Sequence, residues 1–430
     1  MTIQMKMAHF ADVHYAGWSL PEVDKCFTFA VDHAIKTGVD VAIVPGDATD
    51  EMLDLHSPAA IALTKQIWRL SEHCPVLLLQ GTFSHDLPGM LSIFRFIGAK
   101  HPVFVADSIG QVVLTHEKKW VKSSGWRFDK LPDGTACLFS CIPTVNKGAV
   151  AAVVGAELAA EAVGDEIAKL LHGFAGINCK ARAAGIPTVA LAHGTVVGCI
   201  TELGVPMAGL DHEFSVSSLF SAEASAVMLG HIHKHQEWLQ DGRRIAYSGS
   251  VGRLHYGELD AKGFLLWDVA AESAVTDFIP TPARKMIHID FPGAPDLEQL
   301  KAIAADVEGS FVRVRWQIDE ENRDSVDRKA IAAIFNNAAE VKLEGRILPI
   351  VRSRAEGINQ AMTLESKLTK WAETTNTPLN GLAERLQLLA TKAPEDIVRD
   401  ILSENIQSNL SGQSFPQGHD APAEIEEAAS

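Results

Sequence analysis

Short apolar runs alternate with amphipathic segments along the first 280 residues of this 430-residue chain. Apolar side chains recur at four-residue spacing over 23–35, which predicts a helix that begins at Pro21 and ends at Gly38. Nearly continuous apolar runs over 39–44 and 76–79 are typical of strands that are buried on both faces. The alternation of strand, helix and strand predicts a parallel α/β sheet.

The same two patterns continue as far as residue 280. We predict a second helix over 60–70 and, from a segment rich in Ala and Glu, a third over 149–172. The stretch 195–217 has several glycines and no clear period, so we expect a loop there. Shorter apolar runs predict further strands at 103–105, 111–114, 137–142, 188–192, 226–229, 245–247, 263–269 and 274–279.

A stiff Pro-Thr-Pro segment at 280–282 predicts the end of this first region. Beyond it, two helical patterns lie among three apolar runs, which indicates a small α/β domain. From Thr363 the pattern is helical, with three short apolar stripes, and the residues after 410 have no Lys or Arg and are expected to be disordered. The predicted units are 1–280, a capping domain over 284–352, a helical partner-binding segment over 360–410 and an acidic tail over 411–430.

In the capping domain the predicted strands are 285–291, 311–318 and 346–351, and the predicted helices are 297–307 and 328–339. The second of these strands alternates apolar and polar positions, as a strand with one buried face does.

Composition places the chain among ordinary globular proteins, with 47% hydrophobic residues. No apolar stretch reaches the length of a membrane span and the N-terminus lacks a secretory pattern, so we expect a cytoplasmic protein without a membrane partner. The six cysteines form no Cys-x-x-Cys pair and are expected to be reduced thiols. A net charge of −16 argues against general attraction to DNA, although bound metals or a partner could supply positive charge.

Polar side chains follow five of the predicted strands, at the point where each strand ends. In parallel α/β sheets, sites form outside these carboxyl ends, and alternate residues such as Asp12 and His14 can converge on one point. Carboxylate oxygens and imidazole nitrogens are ligands for Mn, Fe or Zn. A lone histidine is more often a structural residue, but the joint pattern predicts a shared metal site. The candidates are Asp12, His14, Asp47, His85, His193, His231 and His233.

At this point the sequence resembles the calcineurin-like metallophosphoesterases, over residues 7–280. Within that family the order of domains is most similar to the SbcD-type subunit of the DNA double-strand-break repair nuclease. The resemblance implies an α/β fold: a β-sandwich flanked by helices, with a small α/β cap and a C-terminal helical segment. The matching motifs are Asp12-Val13-His14, Pro45-Gly46-Asp47, Ala192-His193-Gly194, Gly230-His231-Ile232-His233 and Tyr247-Ser248-Gly249-Ser250.

The resemblance also implies two bound divalent metal ions, with manganese preferred. It implies that His85 is not a ligand but stabilises charge or protonates the leaving oxygen, with Asp86 orienting its ring. By the same resemblance Asp12, His14, Asp47 and His233 hold the first metal, and Asp47 bridges to a second metal held with His193 and His231.

One segment departs from the family pattern. The usual Gly-Asn-His-Asp/Glu is replaced by the longer 81–86, Gly-Thr-Phe-Ser-His-Asp, which lacks the asparagine that normally ligates the second metal. Ser84, next to His85, is our candidate replacement, and Thr82 is the alternative. A hydroxyl is a poorer ligand than an amide carbonyl, so we expect weak binding at the second site or a water in the gap.

The function implied is a manganese-dependent DNA exonuclease and endonuclease in DNA repair or recombination. Its partners would be DNA and an SbcC-type coiled-coil ATPase docked on Trp371 and the leucine stripes, and a homodimer is also expected. One alternative is a phosphoesterase acting on small nucleotides or phosphoproteins, and another is a catalytically weakened scaffold subunit. The same short helices could equally cover the preceding domain.

Other polar residues allow two interpretations. The Tyr-Ser-Gly-Ser stretch at 247–250 could lie beside the substrate or form a plain turn. Arg253 and His255 could contact phosphates or form surface ion pairs. A DNA-facing patch, or a solvated strand face, would consist of Arg313, Arg315, Arg352 and Arg354.

Overall fold

The structure is a computed structural model that describes residues 3–97, 100–144, 156–201, 204–205, 213–349, 358 and 361–410. Two compact units form the chain. One unit comprises 1–318 with 322–346, and the other comprises 319–321 with 347–430.

The strands, in chain order, are β1 (Gln4–His9), β2 (Val41–Pro45), β3 (Val76–Leu79), β4 (Val103–Ala106), β5 (Gly110–Thr115), β6 (Trp120–Lys122), β7 (Thr135–Ile142), β8 (Thr188–His193), β9 (Thr195–Val196), β10 (Glu213–Phe214), β11 (Ala226–Gly230), β12 (Gln236–Gln240), β13 (Arg243–Tyr247), β14 (Gly263–Ala270), β15 (Ala274–Pro280), β16 (Met286–Phe291), β17 (Phe311–Asp319) and β18 (Glu340–Leu348).

The helices are α1 (Leu20–Thr37), α2 (Pro58–His73), α3 (Ala156–Ala183), α4 (Val216–Phe220), α5 (Leu297–Ala304), α6 (Arg328–Ile334), α7 (Leu364–Thr375), α8 (Leu382–Thr391) and α9 (Pro394–Leu410), with 3-10 helices at Met90–Phe96 and Glu320–Ser325.

Two mixed sheets pack face to face in the first unit. One has the strand order β15-β14-β1-β2-β3-β4, and the other has the order β12-β13-β11-β8-β7-β5-β6. Buried side chains of both sheets form one cluster between them, including Met7 and Ile43 from the first sheet and Phe139, Leu191 and Met228 from the second. Burying these apolar side chains away from water drives the two sheets together.

Helices cover the outer faces of the sandwich. Phe27 of α1 and Ile67 of α2 pack with Val44 on the first sheet. Phe174 of α3 packs with Val227 on the second. The predicted fold class, a β-sandwich flanked by helices with a small α/β domain and C-terminal helices, is therefore confirmed.

The predicted ends of α1 are confirmed. A proline lies in its first turn, and Gly38 ends it with φ 74°, a left-handed conformation that glycine adopts without strain. The backbone N–H of Gly38 donates to the carbonyl oxygens of Ala34 and Ile35, which satisfies two of the helix's last acceptors.

The predicted parallel pairing is confirmed for β1 to β4, which are parallel neighbours in the first sheet. The apolar pattern did not show which of the later strands form the second sheet. Strands between a helix layer and a second sheet are apolar on both faces, so periodicity alone cannot assign them to one sheet or two. The predicted loop 195–217 contains β9, β10 and the start of α4. The third strand of the small domain is β18, which begins six residues before the predicted 346, while 350–351 and 149–155 lie outside the described residues.

The small domain has a three-stranded sheet in the order β16-β17-β18. The alternation predicted for β17 is confirmed, because Val312, Val314, Trp316 and Ile318 are buried. These side chains form a core with Leu300 of α5 and Ile331 of α6, which lie on the same face of the sheet.

The connection between the sandwich and the small domain is anchored by a buried carboxylate. Glu22 of α1 accepts a hydrogen bond of 2.6 Å from the backbone N–H of Arg284, and its other oxygen lies 2.9 Å from Arg284 Nε. The Arg284 guanidinium also lies over the Phe311 ring, 4.3 Å from its centroid.

The second unit contains α7, α8 and α9. The apolar stripes predicted for these helices are largely exposed, with 63% of Leu364 and 67% of Leu389 accessible to solvent. In α7 the side chain of Ala372 is buried. The tail predicted to be disordered, 411–430, lies outside the described residues.

Among the described helices, none is both long enough and apolar enough to span a bilayer. The six cysteines all lie in the described part of the chain, and none of them forms a disulfide.

A fully buried histidine joins the two sheets. His9 at the end of β1 donates from Nε2 to the Leu229 carbonyl of β11 at 3.0 Å, while its Nδ1 accepts from Trp267 Nε1 at 3.3 Å. The Trp267 donor leaves this neutral tautomer as the one that satisfies both contacts. Burial lowers the pKa of His9 to about 3, although the hydrogen bond to the Leu229 carbonyl opposes the shift, and the charge of His235 adds a smaller lowering.

This shift predicts acid sensitivity. Between its ordinary pKa of 6.5 and the folded value of about 3, His9 binds a proton only in the unfolded chain. The free energy of unfolding should therefore fall as the pH drops below 6.5, by about 2 kcal/mol from this group at pH 5. His9→Gln keeps a donor and an acceptor but does not titrate, so urea unfolding at pH 7 and pH 5 should show a smaller difference for the variant. An equal difference in both proteins would contradict this role.

Candidate metal centre

The sequence-predicted ligands lie together at one end of the sandwich. The parallel neighbours β1 and β2 end there in the first sheet, as do the parallel neighbours β8 and β11 in the second. His193 ends β8, and the other ligands follow their strands: Asp12 and His14 after β1, Asp47 after β2, and His231 and His233 after β11.

The backbone of this end is strained. Asp12, His14, Asp47 and His231 all have positive φ, between 50° and 107°, a region that non-glycine residues seldom occupy. Such conformations cost of order 1–3 kcal/mol each and persist where the surrounding structure enforces them. Their concentration at the ligand positions indicates a functional site.

Glycines allow the two sheets to approach here. A Cβ on Gly46 would lie 2.1 Å from His193 Nδ1, and a Cβ on Gly230 would lie 2.2 Å from the Pro45 carbonyl oxygen. Any side chain at either position would push a ligand-bearing loop away from its neighbour.

A first cluster consists of Asp12, His14 and His233, with ligand atoms within 4.8 Å of one another. His14 Nδ1 lies 2.9 Å from Asp50 Oδ1, and His233 Nδ1 lies 2.7 Å from Glu258 Oε1. When both Nδ1–H groups donate to these carboxylates, the two Nε2 atoms carry lone pairs. Those atoms face each other at 3.0 Å.

This first cluster fits a cation because several hydrogen-bond acceptors converge in it. Two lone pairs at this distance repel unless a proton or a metal ion lies between or beside them. Asp12 Oδ2 is buried and makes no hydrogen bond within the described structure, so it is a further acceptor available to a cation. The cluster therefore fits a divalent transition metal.

A second cluster consists of Asp47, His193 and His231. His193 Nδ1 donates to the Pro45 carbonyl oxygen at 2.8 Å, which leaves Nε2 as an acceptor 3.1 Å from Asp47 Oδ2. The same Oδ2 lies 3.9 Å from His14 Nε2. Asp47 thus reaches both clusters and would be available to a cation held in either of them.

Electrostatics keeps this shared carboxylate ionised. Burial alone would raise the pKa of Asp47, but the positive charge and hydrogen bond of a protonated His193, which a bound cation would replace, outweigh burial and hold the pKa well below its ordinary value, with help from His14 and His85. Asp12 and Asp47 are almost completely buried, whereas His231 and His233 are partly exposed. The pocket therefore opens on the side of these histidines.

Thr82, not Ser84, lies beside the second cluster. Thr82 Oγ1 lies 3.3 Å from Asp47 Oδ2 and 3.2 Å from His193 Nε2, and its backbone N–H donates to Asp47 Oδ1 at 2.7 Å. Ser84 is exposed. Residues 83–85 form a turn that carries Ser84 outward, while Thr82 lies next to Gly81 and beside Asp47.

His85 lies beside the first cluster, where its ring meets the His14 ring edge to face at 4.8 Å. Its Nδ1 lies 3.0 Å from the Asp50 carbonyl oxygen and 3.2 Å from Asp50 Oδ1. The Asp50 hydrogen bond raises the pKa of His85 to about 9, although partial burial opposes the rise. A ring nitrogen of His85 lies within 4.8 Å of ligand atoms of His14 and Asp47, so the ring borders the pocket.

The expectation that Asp86 orients His85 is corrected by this geometry. The Asp86 carboxylate accepts from the backbone N–H groups of Ala48, Thr49 and Gly81 and from the Thr49 hydroxyl. Asp86 is completely buried and holds the loop that carries Asp47. Its burial, with the nearby charge of Asp47, raises its pKa.

Two carboxylates behind the ligands were missed by sequence reasoning. Asp50 lies three residues after Asp47, a spacing that could have marked it. Glu258 lies in an irregular stretch with no pattern that points to His233. Both fix the tautomer of a candidate ligand, a function that outer carboxylates commonly serve around metals.

The other candidate substrate contacts have structural partners. The Tyr247 hydroxyl donates to the Gly194 carbonyl at 2.6 Å, and Ser248 Oγ accepts from the Ala11 backbone at 3.1 Å. Arg253 donates to the carbonyl oxygens of Glu258, Leu259, Asp260 and Arg284. His255 lies 3.6 Å from Glu258.

In the small domain, the arginines of β17 pair with acidic neighbours. Arg313 lies 2.7 Å from Glu344, and Arg315 donates to Asp290 at 2.8 Å. Arg352 and Arg354 lie outside the described residues. These pairs favour the interpretation of a solvated strand face.

No family model matches this sequence, and no curated protein matches it. Among solved structures, the chain is similar to GAP50, the anchor in the inner membrane complex of Plasmodium, at 12% identity and a TM-score of 0.39 over 65% of this chain and 85% of that one.

It is also similar to a dimetal phosphatase from Danio rerio, at 10% identity and a TM-score of 0.38 over 63% of this chain and 98% of that one. A third similar structure is the phosphopantetheinyl hydrolase of Mycobacterium tuberculosis, at 12% identity and a TM-score of 0.29 over 58% and 92%.

The geometry of Thr82 predicts the behaviour of the second metal site. Thr82→Asn would present an amide oxygen beside Asp47 and His193, so the weaker Mn²⁺ dissociation constant should tighten by about tenfold, or ~1.4 kcal/mol. Thr82→Val, which keeps the shape and removes the oxygen, should not tighten it. Calorimetric titration with Mn²⁺ measures both constants. Ser84→Ala is the matched control and should bind Mn²⁺ as the unmodified protein does. Weaker Mn²⁺ binding by that variant would indicate that Ser84, not Thr82, is the ligand.

Proposed function

We propose that this protein is a phosphoester hydrolase that uses two divalent metal ions, with manganese as the metal. The observation that carries the proposal is the position of Asp47, whose carboxylate lies between two clusters of imidazole and carboxylate ligands. A proton-donating histidine, His85, lies at the edge of the same pocket. Paired metals of this kind supply an activated water and neutralise charge on a phosphoryl group.

The chain's own residues divide the remaining work. Asp50 and Glu258 hold His14 and His233 with Nε2 directed inward. Asp50 also stabilises the protonated form of His85, whose Nε2–H is then positioned to donate to a phosphoryl oxygen or to the leaving oxygen. Burial of Asp12 and Asp47 excludes water from the ligand side, which strengthens these interactions.

Within this class we propose that the substrate is DNA and that phosphodiester bonds are cleaved, by exonuclease and endonuclease action in repair or recombination. The motif order and the domain order support this proposal. The exposed apolar side chains of α7 to α9 support docking on an SbcC-type coiled-coil ATPase, since isolated short helices gain stability by burying such faces. A partner would also supply the basic surface that a chain of net charge −16 needs near DNA.

A second candidate is a phosphoesterase for small nucleotides. The acidic net charge favours it, as does the pairing of Arg313 and Arg315 with carboxylates. Small nucleotides need no extended basic surface.

The catalytic role of His85 predicts a separation between metal binding and activity. His85→Ala should lower kcat on linear DNA with Mn²⁺ by about 100-fold or more, because a general acid contributes 10²–10⁴. It should keep both metals, because the proposal assigns His85 to proton donation and each cluster keeps its own carboxylate and imidazole ligands without it. Asp47→Ala should lose both metal binding and activity. His116→Ala, an exposed histidine after β5, is the matched control and should behave as the unmodified protein.

The substrate assay separates the candidates. Cleavage of linear DNA that a chelator abolishes supports the nuclease. Hydrolysis confined to mononucleotides would overturn the nuclease and retain the phosphoesterase. Full activity of His85→Ala would reject the role of His85 as proton donor. Hydrolysis of every phosphoester at the same rate with and without metal would reject the proposed class of metal-dependent hydrolase.

The docking proposal predicts that single charges on the exposed helices weaken association with an SbcC-type ATPase. Leu389→Glu changes a side chain that is 67% exposed, so it should fold normally and raise the dissociation constant at least tenfold. Leu239→Glu, on β12 and 62% exposed, is the matched control and should associate normally. Co-purification and surface-binding titration with the full chain measure this; equal loss in both variants, or in neither, would refute the docking site.

A further inference from the structure

An exposed tryptophan lies beside the candidate metal centre, and none of the roles above uses its ring. Trp18, in the turn before α1, is 60% exposed. Its indole Nε1–H donates to Asp50 Oδ2 at 3.1 Å. One edge of the ring is therefore fixed while much of its surface remains open to solvent.

The carboxylate that holds the indole is the one that serves the site. Asp50 Oδ1 lies 2.9 Å from His14 Nδ1 and 3.2 Å from His85 Nδ1. Trp18 is thus two hydrogen bonds from a candidate metal ligand and two from the candidate proton donor. An aromatic surface lies within reach of whatever is attached to the phosphoryl group.

We propose that Trp18 is a base-stacking platform, which receives the nucleobase of the nucleotide whose phosphate lies at the metal centre. This inference rests on the proposed phosphoester hydrolase and specifies its substrate class as nucleoside phosphodiesters. Stacking of a base on an aromatic side chain contributes about 1–3 kcal/mol and tolerates every base, because each base has a π face. Selectivity for nucleotides over phosphoproteins follows, without selectivity among bases.

Two features of Trp18 favour recognition over simple support of Asp50. A tryptophan that only supported Asp50 would gain stability by burying its ring, yet this ring is 60% exposed. Holding the N–H in a hydrogen bond also limits ring motion before substrate arrives, and less side-chain entropy is then lost on binding.

The test compares two oligodeoxynucleotides that differ in one base. One is intact, and the other has an abasic deoxyribose beside the scissile phosphate. With Mn²⁺, the full chain should cleave the intact strand with the higher kcat/KM. Trp18→Ala should lower kcat/KM on the intact strand by about 10- to 100-fold and change it little on the abasic strand. Trp18→Phe keeps a ring but not the N–H, and should retain most of the preference.

Controls separate stacking from positioning. Trp68→Ala removes another partly exposed tryptophan, on α2, and should leave both rates unchanged. Equal losses on both strands with Trp18→Ala would overturn stacking and leave Trp18 as a positioning residue for Asp50. Equal losses with Trp18→Phe and Trp18→Ala would overturn it as well.

A binding readout keeps this inference separate from the proposed function. Titration with an uncleaved phosphorothioate strand, intact or abasic, should show the same Trp18-dependent preference in the dissociation constant. If phosphodiesters are cleaved but neither kcat/KM nor the dissociation constant favours the intact strand, the base-stacking proposal is wrong and the proposed hydrolase function is retained. If nothing is cleaved but the preference persists, the platform stands and the hydrolase fails. Comparison of the strand with free thymidine monophosphate distinguishes polynucleotide from mononucleotide as the source of the base.

Discussion

Two imidazole nitrogens, Nε2 of His14 and Nε2 of His233, face each other at 3.0 Å across the junction of two sheets. Both rings have carboxylates at Nδ1, so both contribute lone pairs to one small volume that Asp12 also borders. Such a concentration of acceptors is unfavourable on its own and favourable around a cation. The geometry of the site is therefore understandable only if the fold holds these groups together against their mutual repulsion.

The sandwich provides that restraint through contacts between its sheets. His9 hydrogen-bonds to the Leu229 carbonyl, the His231 backbone N–H donates to Asp12, and His193 donates to the Pro45 carbonyl. Each contact joins a strand or loop of one sheet to the other sheet near a ligand. Burial of the apolar side chains between the sheets stabilises the folded sandwich, and this stabilisation offsets the backbone strain at the candidate ligands.

The convergence of the candidate ligands could be predicted from the sequence because each follows an apolar strand, and strand ends converge in α/β folds. The apolar pattern could not show which strand belongs to which sheet, because the strands of both sheets are apolar on both faces. The prediction that Asp86 orients His85 was based on their adjacency in sequence. In the structure the Asp86 carboxylate accepts from backbone N–H groups, and Asp50 contacts the His85 imidazole instead. Ser84 and Thr82 are also near neighbours in sequence, but the turn over 83–85 carries Ser84 to the surface while Thr82 stays beside Asp47. Glu258 had no periodic pattern at all.

The two clusters are unequal, and the inequality follows from charge. The first has the carboxylates of Asp50 and Glu258 behind its imidazoles, whereas His193 of the second is backed by the neutral Pro45 carbonyl. A carboxylate behind an imidazole makes its nitrogen a stronger donor to a metal than a carbonyl does. The oxygen that Thr82 offers beside the second cluster is a hydroxyl, which is a poorer metal ligand than an amide carbonyl would be. Occupancy should therefore be ordered, with the first site filling before the second, and activity that needs both ions would follow the weaker one.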